Sequence, residues 1–388
     1  MTKSEPNLQP ETVAASHGVA KDTAFHAVVP PIYLSSTYAF NGFNNPGSYD
    51  YGRSGNPTRN MLGDALAELE GGAGAVVTSS GMSAVDLLLG QLTSSDVIIA
   101  PHDCYGGTYR LLKARAGKGH FTVKFLDMGN LAELSNVLDA GASLVLVETP
   151  SNPLMRVVDI QAIARLAKKA GALTAVDNTF LSSALQTPLK LGADYVIHST
   201  TKYLNGHSDV VGGAVIAADP EKVEGLRTWA TVIGVIGSPM DSWMTLRGLR
   251  TLFPRILRQQ ETAGRLAEWL SQQKSIAVVH YPGLRSHPGH RLASKQQRGF
   301  GAMLSFELAG GTKAVEAFLQ ELKLFTFAES LGGVESLIVH PATMTHVDMT
   351  SEEKLVAGIS DGLLRISVGL EHPEDLLNDL KRAVAVLL

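Results

Sequence analysis

Short apolar runs alternate with segments of helical spacing along the chain from Thr58 to about residue 218. NMLGDALAELEGG and DIQAIARLAKKAG have the apolar spacing of amphipathic helices, and the first of them stops at glycine. The apolar, β-branched runs typical of strands are AVVTS, VIIAP, VKFLD, LVLVETP, LTAVDNT, YVIHST and GAVIA. This alternation predicts an α/β fold in which helices cover both faces of an open, mostly parallel sheet. Ligands of such sheets bind beyond the carboxyl ends of the strands.

The pattern changes in the last third of the chain. From Met240 to about Gln273 it is long and helical with an interruption at Pro254, and strand-like runs such as VVHYP and AMLSFEL follow with helical segments between them. This change predicts a second, smaller α+β domain. The first sixteen residues are polar and contain proline, so we expect a loose arm there. The predicted organisation is an arm over residues 1–57, a large domain over 58–254 and a C-terminal α+β domain over 255–388.

Composition narrows the classes of partner. The 388 residues include 33 Lys+Arg and 37 Asp+Glu, a net charge of -4 that offers no basic excess for nucleic acid or anionic membranes. Only 18% of the residues are charged, which suggests subunit contacts that cover part of the surface. The longest uncharged apolar stretches reach about half of the ~20 residues that span a bilayer. The single cysteine, Cys104, permits no intrachain disulfide. We therefore expect a soluble, cytoplasmic protein in which Cys104 is a packing residue.

The segment HSTTKYLNGHSD carries the first candidate for chemistry. His198 and Ser199 end a predicted strand, and Lys202 follows three residues after the serine, at the edge of the sheet where ligands bind. A desolvated lysine can form a Schiff base with an aldehyde, and the hydroxyls that precede Lys202 can donate hydrogen bonds to a phosphate. Most lysines are solvated surface residues, so this signal needs partners.

Three further segments supply such partners. Asp177 ends the strand LTAVDNT, where a carboxylate is costly to ionise unless it meets a cation such as a protonated pyridine nitrogen. Gly81 and Met82 open a helix directly after a strand, a phosphate-binding arrangement. Tyr105 precedes two glycines and can stack on a flat cofactor. Each has an ordinary structural explanation by itself, but in this order with Lys202 they indicate a pyridoxal-phosphate site.

At this point the chain resembles a known family, the pyridoxal-phosphate enzymes of Cys/Met metabolism, over nearly its whole length. The matching motifs, in order, are PPIYLSSTYAF, YGRSGNPTRN, ALAELEGG, APHDCYGGTYRL, VETPSNPL, VVDIQAIA, AVDNTF, LGADYVIHSTTKYLNGHSDVVGG, FTFAESLGGVESL, TMTH and LLRISVGLE. The resemblance implies the fold of PLP-dependent transferases, the aspartate aminotransferase-like fold type I.

The resemblance also implies roles for the cofactor residues. Lys202 is implied to bind pyridoxal 5′-phosphate covalently and to act in catalysis with Tyr105, whose ring stacks on the cofactor, while Asp177 pairs with the ring nitrogen. The groups implied to hold the phosphate are Gly81, Met82, Ser199 and Thr201, together with Tyr51 and Arg53 of the neighbouring subunit. The family thus implies a homo-oligomer of at least two chains, usually a homotetramer.

Substrate recognition follows from the same resemblance. The residues implied to bind an amino-acid substrate are Arg365, Asn152, Glu329, Ser330, Asp50 and Arg110. Arg365 and Asn152 correspond to the pair that holds the α-carboxylate. Glu329 disfavours β-elimination, and Asp50 and Arg110 fit an acyl-homoserine pocket. We expect γ-replacement of O-succinyl- or O-acetyl-L-homoserine by L-cysteine, which gives L-cystathionine in methionine biosynthesis. The alternative is the γ-lyase reaction, which yields cysteine, 2-oxobutanoate and ammonia, because Ser54 stands where some synthases have an arginine.

Other classes fit the residues less well. A dinucleotide-dependent oxidoreductase needs a glycine signature after its first strand, but the GAG of residues 72–74 precedes a strand and Val77 replaces the last glycine. Three histidines between residues 280 and 290 lie about a Pro/Gly loop without neighbouring metal-binding carboxylates, so we predict solvated histidines and no metal site. A non-catalytic scaffold would be expected to lack Lys202 or Asp177.

Overall fold

The structure is a computed structural model that describes residues 8–347 and 349–387. The strands are β1 (Gly74–Thr78), β2 (Val97–Pro101), β3 (Thr122–Leu126), β4 (Leu144–Glu148), β5 (Leu173–Asp177), β6 (Tyr195–His198), β7 (Gly213–Ala217), β8 (Ile276–His280), β9 (Met303–Leu308), β10 (Thr326–Phe327), β11 (Leu337–Val339) and β12 (Leu363–Ser367). The helices are α1 (Pro10–Ser16), α2 (Pro57–Glu70), α3 (Gly81–Leu89), α4 (Gly106–Gly117), α5 (Leu131–Asp139), α6 (Ile160–Lys169), α7 (Ser182–Leu185), α8 (Pro220–Ile233), α9 (Pro239–Leu249), α10 (Leu252–Leu270), α11 (His290–Gln296), α12 (Gly311–Glu321), α13 (Ser351–Ala357) and α14 (Pro373–Ala385), with a 3-10 turn at Pro188–Leu191.

The larger sheet has seven strands in the order β1-β7-β6-β5-β4-β2-β3. Strand β7 is antiparallel to both of its neighbours, and all the other neighbouring pairs are parallel. Every residue of β1, β4 and β7 is buried, as expected for strands with helices on both sides. The predicted α/β fold with a mostly parallel sheet is confirmed. Its parallel strands β4, β5 and β6 are adjacent, so the residues that follow them meet at one edge.

Local signals explain where the helices of this sheet begin and end. The Asn56 side chain accepts hydrogen bonds from the backbone N–H groups of Thr58 and Arg59 and so caps α2, and Gly71 ends the helix with φ +75°. Asp159 caps α6 in the same way by accepting from the N–H of Ala162. The two helices read from the apolar spacing are thus bounded by residues suited to helix ends.

A second sheet of five strands lies in the C-terminal part, in the order β10-β11-β12-β9-β8. It is antiparallel except for the β10–β11 pair. Helix α10 runs without a break through Pro254, which lies in its first turn, where a missing N–H costs little. The expected interruption therefore falls between α9 and α10. The predicted domain limits at residues 57 and 254 stay predictions.

The N-terminal region contains one departure from the predicted arm. Residues 1–7 lie outside the described residues, but Pro10–Ser16 forms helix α1 with Val13 and Ala14 buried. The expectation of a loose arm is wrong for this stretch, because proline starts the helix and the two apolar side chains cover a hydrophobic cluster. Beyond α1, residues 20–56 run with little regular structure. No helix of the described residues is long and apolar enough to cross a membrane.

Candidate active site

The edge where β4, β5 and β6 end opens into a cavity of about 340 Å³. The predicted site residues that line it are Gly81, Met82, Tyr105, Asn152, Asp177, Ser199, Thr201, Lys202, Glu329, Ser330 and Arg365. They come from both sheets and from positions up to 284 apart in sequence, between Gly81 and Arg365. The fold therefore brings together eleven of the fifteen predicted site residues.

Lys202 follows β6 and extends its amine into the cavity. The Nζ atom donates a hydrogen bond to Oγ of Ser330 over 2.8 Å. The pKa of Lys202 is lowered from 10.5 to about 8, mainly by burial and also by the nearby guanidinium of Arg365, while the charge of Glu329 opposes the shift. An amine with this pKa is partly unprotonated near neutral pH, so it can act as a nucleophile or a base.

The lowered pKa predicts how fast the Lys202 amine reacts in the cofactor-free protein. Only the free amine is acylated, and a pKa of about 8 instead of 10.5 raises its fraction at pH 7.5 from about 0.1% to about a quarter. Trace acetylation over a range of pH, read by peptide mass spectrometry, should give a midpoint near 8 for Lys202. Lys190, outside the cavity, serves as the reference, and a midpoint for Lys202 close to 10 would contradict the assignment.

Ser330 holds both of the cationic groups of the cavity in place. Its hydroxyl accepts from Lys202, and its carbonyl oxygen accepts from Nη2 of Arg365 over 3.1 Å. Its φ of +99° lies outside the regions that non-glycine residues prefer, a conformation that costs about 1–3 kcal/mol and is kept where surrounding contacts enforce it.

Arg365 sits on β12 with only 2% of its surface exposed. Its Nη1 donates to Oδ1 of Asn152 over 2.6 Å, and burial lowers its pKa to about 10, so it stays charged at neutral pH. Its Nε, also buried, has no hydrogen-bond partner among the described residues. A buried guanidinium with a donor to spare suits a carboxylate ligand, which can accept two parallel hydrogen bonds.

The other side of the cavity suits a phosphate. Gly81 and Met82 form the first turn of α3, where backbone N–H groups have no partner within the helix. A Cβ on Gly81 would lie 2.8 Å from Cβ of Ser199, so only glycine permits this approach. The Thr201 hydroxyl donates to the carbonyl of Gly212 and accepts from its N–H. A phosphate would thus meet the backbone donors of α3, and the Thr201 hydroxyl would donate to it by turning away from the Gly212 carbonyl.

Two carboxyl groups lie beside each other in the same cavity. Asp177 ends β5 and is the register partner of Glu148, which ends β4. Burial raises the pKa of both groups, and the charge of Asp177 raises that of Glu148 further. A cationic ring nitrogen in the cavity would favour the ionised form of Asp177. The Tyr105 side chain, 40% exposed, lines the same cavity. A flat, phosphate-bearing pyridine aldehyde therefore fits these residues.

Four predicted residues lie outside the cavity of their own chain. Tyr51 is 46% exposed, and Arg53 lies over its ring and donates to the carbonyl oxygen of Thr231. Asp50 and Arg53 line a different cavity. Arg110 lines a third one, on α4, with His346 and Glu353. This chain alone does not place these four residues at Lys202.

Cys104 is fully buried next to Tyr105, and burial together with the charges of Glu148 and Asp103 keeps the pKa of its thiol well above the usual value. Such a thiol is a poor nucleophile. We expect Cys104→Ser to keep turnover within about threefold of the unchanged enzyme, because serine is similar in size. Steady-state kinetics with saturating cofactor measures this, and loss of most activity with the cofactor still bound would refute it.

The histidines of the C-terminal part differ from the expectation of solvated loop residues. His287 is buried, and burial lowers its pKa to about 4, so the side chain is neutral at pH 7. His280 lies on β8, and its ring forms a hydrogen bond with the side chain of Glu307. The described residues contain no cluster of histidine, cysteine and carboxylate side chains that could hold a metal ion.

Among the residues that line the cavity and that the sequence analysis does not name, one is charged. Glu148, in the motif VETPSNPL, is buried at the end of β4 and lines the cavity. Glu148 has the same sequence signal as Asp177, because both are carboxylates at the end of an apolar run.

Comparisons with known proteins agree with this geometry. The sequence model of the protein family described as Cys/Met metabolism PLP-dependent enzyme matches residues 11–385 of this chain. Cystathionine gamma-synthase of Escherichia coli (strain K12) is 55% identical over 371 residues, 95% of this chain and 96% of the relative. Cystathionine beta-lyase of Lactococcus lactis subsp. cremoris (strain MG1363) is 46% identical over 367 residues, which are 95% of this chain and 96% of that relative.

Solved structures are also similar to this chain. Cystathionine gamma synthase from Xanthomonas oryzae pv. oryzae, solved in complex with aminoacrylate and cysteine, matches with a TM-score of 0.97 and 56% identity over 98% of both chains. The two-sheet architecture is thus that of fold type I, and the expected dependence on pyridoxal 5′-phosphate is confirmed. The chain belongs to the Cys/Met metabolism family of PLP-dependent enzymes.

Proposed function

We propose that the enzyme replaces the γ-acyloxy group of O-succinyl- or O-acetyl-L-homoserine with the thiol of L-cysteine and so makes L-cystathionine. The Cγ–O bond breaks, a Cγ–S bond forms, the acyl group leaves as a carboxylate and the thiol gives up its proton. The observation that carries the proposal is one cavity that holds the Lys202 amine beside the buried Arg365–Asn152 pair. The high identity to gamma-synthases supports the choice of reaction.

The residues divide the work by their position. Pyridoxal 5′-phosphate, when bound, supplies an aldehyde for amines and a ring that stores the electrons left when a Cα proton departs. Lys202 binds the cofactor and, as the free amine, takes the proton from Cα. Asp177 pairs with the ring nitrogen, and Tyr105 stacks on the ring. Gly81, Met82, Ser199 and Thr201 hold the phosphate.

The substrate occupies the opposite side. Arg365, oriented by Asn152 and the Ser330 carbonyl, binds the α-carboxylate and thereby fixes the Cα–H bond near Lys202. Glu329 is exposed at the cavity, and its charge lies close enough to act on Lys202. We assign Asp50 and Arg110 to the acyl group. Ser54 has no charge that pairs with a succinyl carboxylate as an arginine would, and the proposed acyl donors are therefore both the succinyl and the acetyl ester.

The active site is completed by a second copy of the chain. Tyr51 and Arg53 lie outside their own cavity, and the preceding segment exposes large apolar side chains, including Phe25 (89%) and Phe43 (96%). Water-exposed phenylalanines of this kind are usual at subunit contacts. We assign Tyr51 and Arg53 to the phosphate site of the neighbouring subunit, within a homotetramer built from site-sharing dimers.

We also propose that the enzyme acts in the cytoplasm, because a protein with a single cysteine needs no oxidising compartment to form an intrachain disulfide.

A product assay tests the reaction. O-succinyl-L-homoserine, O-acetyl-L-homoserine and L-cystathionine are each offered to the purified holoenzyme, with and without L-cysteine, and the products are separated. We expect L-cystathionine from one acyl donor with cysteine, formed faster than any keto acid. Formation of only 2-oxobutanoate would instead establish a γ-lyase, and pyruvate from cystathionine would establish β-elimination.

A further inference from the structure

Glu148 ends β4, and its side chain accepts hydrogen bonds from the backbone of two other segments. Its Oε2 accepts a hydrogen bond from the backbone N–H of Tyr105 over 2.8 Å, and its Oε1 accepts one from the backbone N–H of Asn152 over 3.0 Å. Both oxygens are thus used, each on a different segment. Charge-assisted bonds of this kind are about twice as strong as neutral ones.

The two segments carry different parts of the site. Tyr105 directly precedes α4 and has no capping side chain of its own, so the Glu148 carboxylate is the negative group at that helix end. Asn152 accepts from Nη1 of Arg365 through its side chain. One carboxylate therefore ties the residue assigned to the cofactor ring to the pair assigned to the substrate carboxylate.

Burial has the largest effect on Glu148 and raises the pKa of its carboxyl group well above the usual value, and the charges of Asp177 and Asp103 raise it further. The two N–H donors act in the opposite direction, and an N–H group aimed at each oxygen is the hydrogen-bond pattern of a carboxylate that accepts through both oxygens. Glu148 lines the same cavity as Asp177 and Asn152.

We infer that Glu148 is a positioning residue that fixes Tyr105 and the Asn152–Arg365 pair as one unit, so that affinity for the cofactor and for the substrate carboxylate depend on the same side chain. This inference rests on the roles proposed above for Tyr105 and Asn152, but not on the identity of the acyl donor or the product.

The experiment compares Glu148→Gln with Asp379→Asn. Glutamine has the shape of glutamate, but it presents one carbonyl oxygen and an NH₂, so one of the two N–H groups loses its acceptor. Asp379 is a matched control, because it is also a buried carboxylate that accepts from backbone N–H groups, those of Lys323, Leu324 and Phe325, away from the cavity.

Two dissociation constants are measured. One is that of pyridoxal 5′-phosphate for the cofactor-free protein, and the other is that of L-alanine for the holoenzyme, read from its visible absorption. L-Alanine has the α-carboxylate and no leaving group. Glu148→Gln should raise both constants, each about tenfold, because each depends on a segment that has lost an ionic hydrogen bond. Asp379→Asn should lower thermal stability and leave both constants within about threefold.

The outcomes separate the inference from the proposed function. If Glu148→Gln is destabilised like the control but keeps both constants, Glu148 is only a structural carboxylate and the inference fails. If the unchanged protein binds neither pyridoxal 5′-phosphate nor L-alanine, the proposed function itself fails. Should Glu148→Gln not fold, Glu148→Asp replaces it, since its carboxylate is charged but too short to reach both N–H groups. Unchanged constants for that variant would likewise overturn the inference.

Discussion

Lys202→Ala should lower turnover by at least about 10³-fold, because it removes both the covalent attachment of the cofactor and the base that takes the Cα proton. The pKa of about 8 makes this amine available near neutral pH. The variant should still bind pyridoxal 5′-phosphate without a covalent bond, through Asp177 and the first turn of α3. Initial rates at saturating cofactor measure the loss, and borohydride reduction with peptide mapping should label the unchanged enzyme at Lys202 and the variant nowhere.

Lys202→Arg separates charge from proton transfer. Arginine keeps a positive side chain at this position, but its guanidinium does not lose a proton at accessible pH. It should therefore be as inactive as Lys202→Ala. Lys190→Ala, outside the cavity on the 3-10 turn Pro188–Leu191, is the control and should retain full activity. Turnover of Lys202→Arg within about tenfold of the unchanged enzyme would show that another group removes the proton.

Much of the fold was predictable because its signals are local. The apolar runs from residue 75 to residue 217 form the seven strands of the larger sheet, and the inner strands such as β4 are apolar throughout because both of their faces are buried. Helix α1 was missed because seven residues with a single buried pair carry almost no periodicity. Its existence depends on a hydrophobic surface built by α2 and α10, far away in the chain.

The site could be predicted in part for a related reason. Asp177 ends β5 and Lys202 follows β6, and adjacent parallel strands end at one edge, so the meeting of the two residues follows from topology. The contacts of Glu148 were not predictable, because they depend on the register between β4 and β5 and on the path of two loops. The positive φ of Ser330 likewise results from tertiary contacts and has no marker in the sequence.

The last prediction concerns Tyr51 and Arg53, two of the four predicted site residues that lie outside the cavity of their own chain. If Tyr51 and Arg53 serve the neighbouring subunit, two inactive variants should restore each other. A Tyr51→Phe, Arg53→Ala double variant should bind cofactor about 100-fold more weakly, since it loses ionic and neutral hydrogen bonds to the phosphate. Mixed with Lys202→Ala in one assembly, it should recover activity. In a mixed dimer, one site contains all the defects and the other contains none.

Random pairing of equal amounts makes half of the dimers mixed, each with one intact site of two, so activity should rise to about a quarter of that of the unchanged enzyme. Co-expression with two affinity tags and assay at limiting cofactor measures this. Lys202→Ala mixed with Asp177→Asn is the matched control: both residues line the cavity of the same chain, so a mixed dimer has one defect in each site and gains nothing. A mixture of the first pair no more active than the mean of its parents would place Tyr51 and Arg53 outside the partner's site. It would then leave the exposed phenylalanines of the arm without the contact that the shared site gives them.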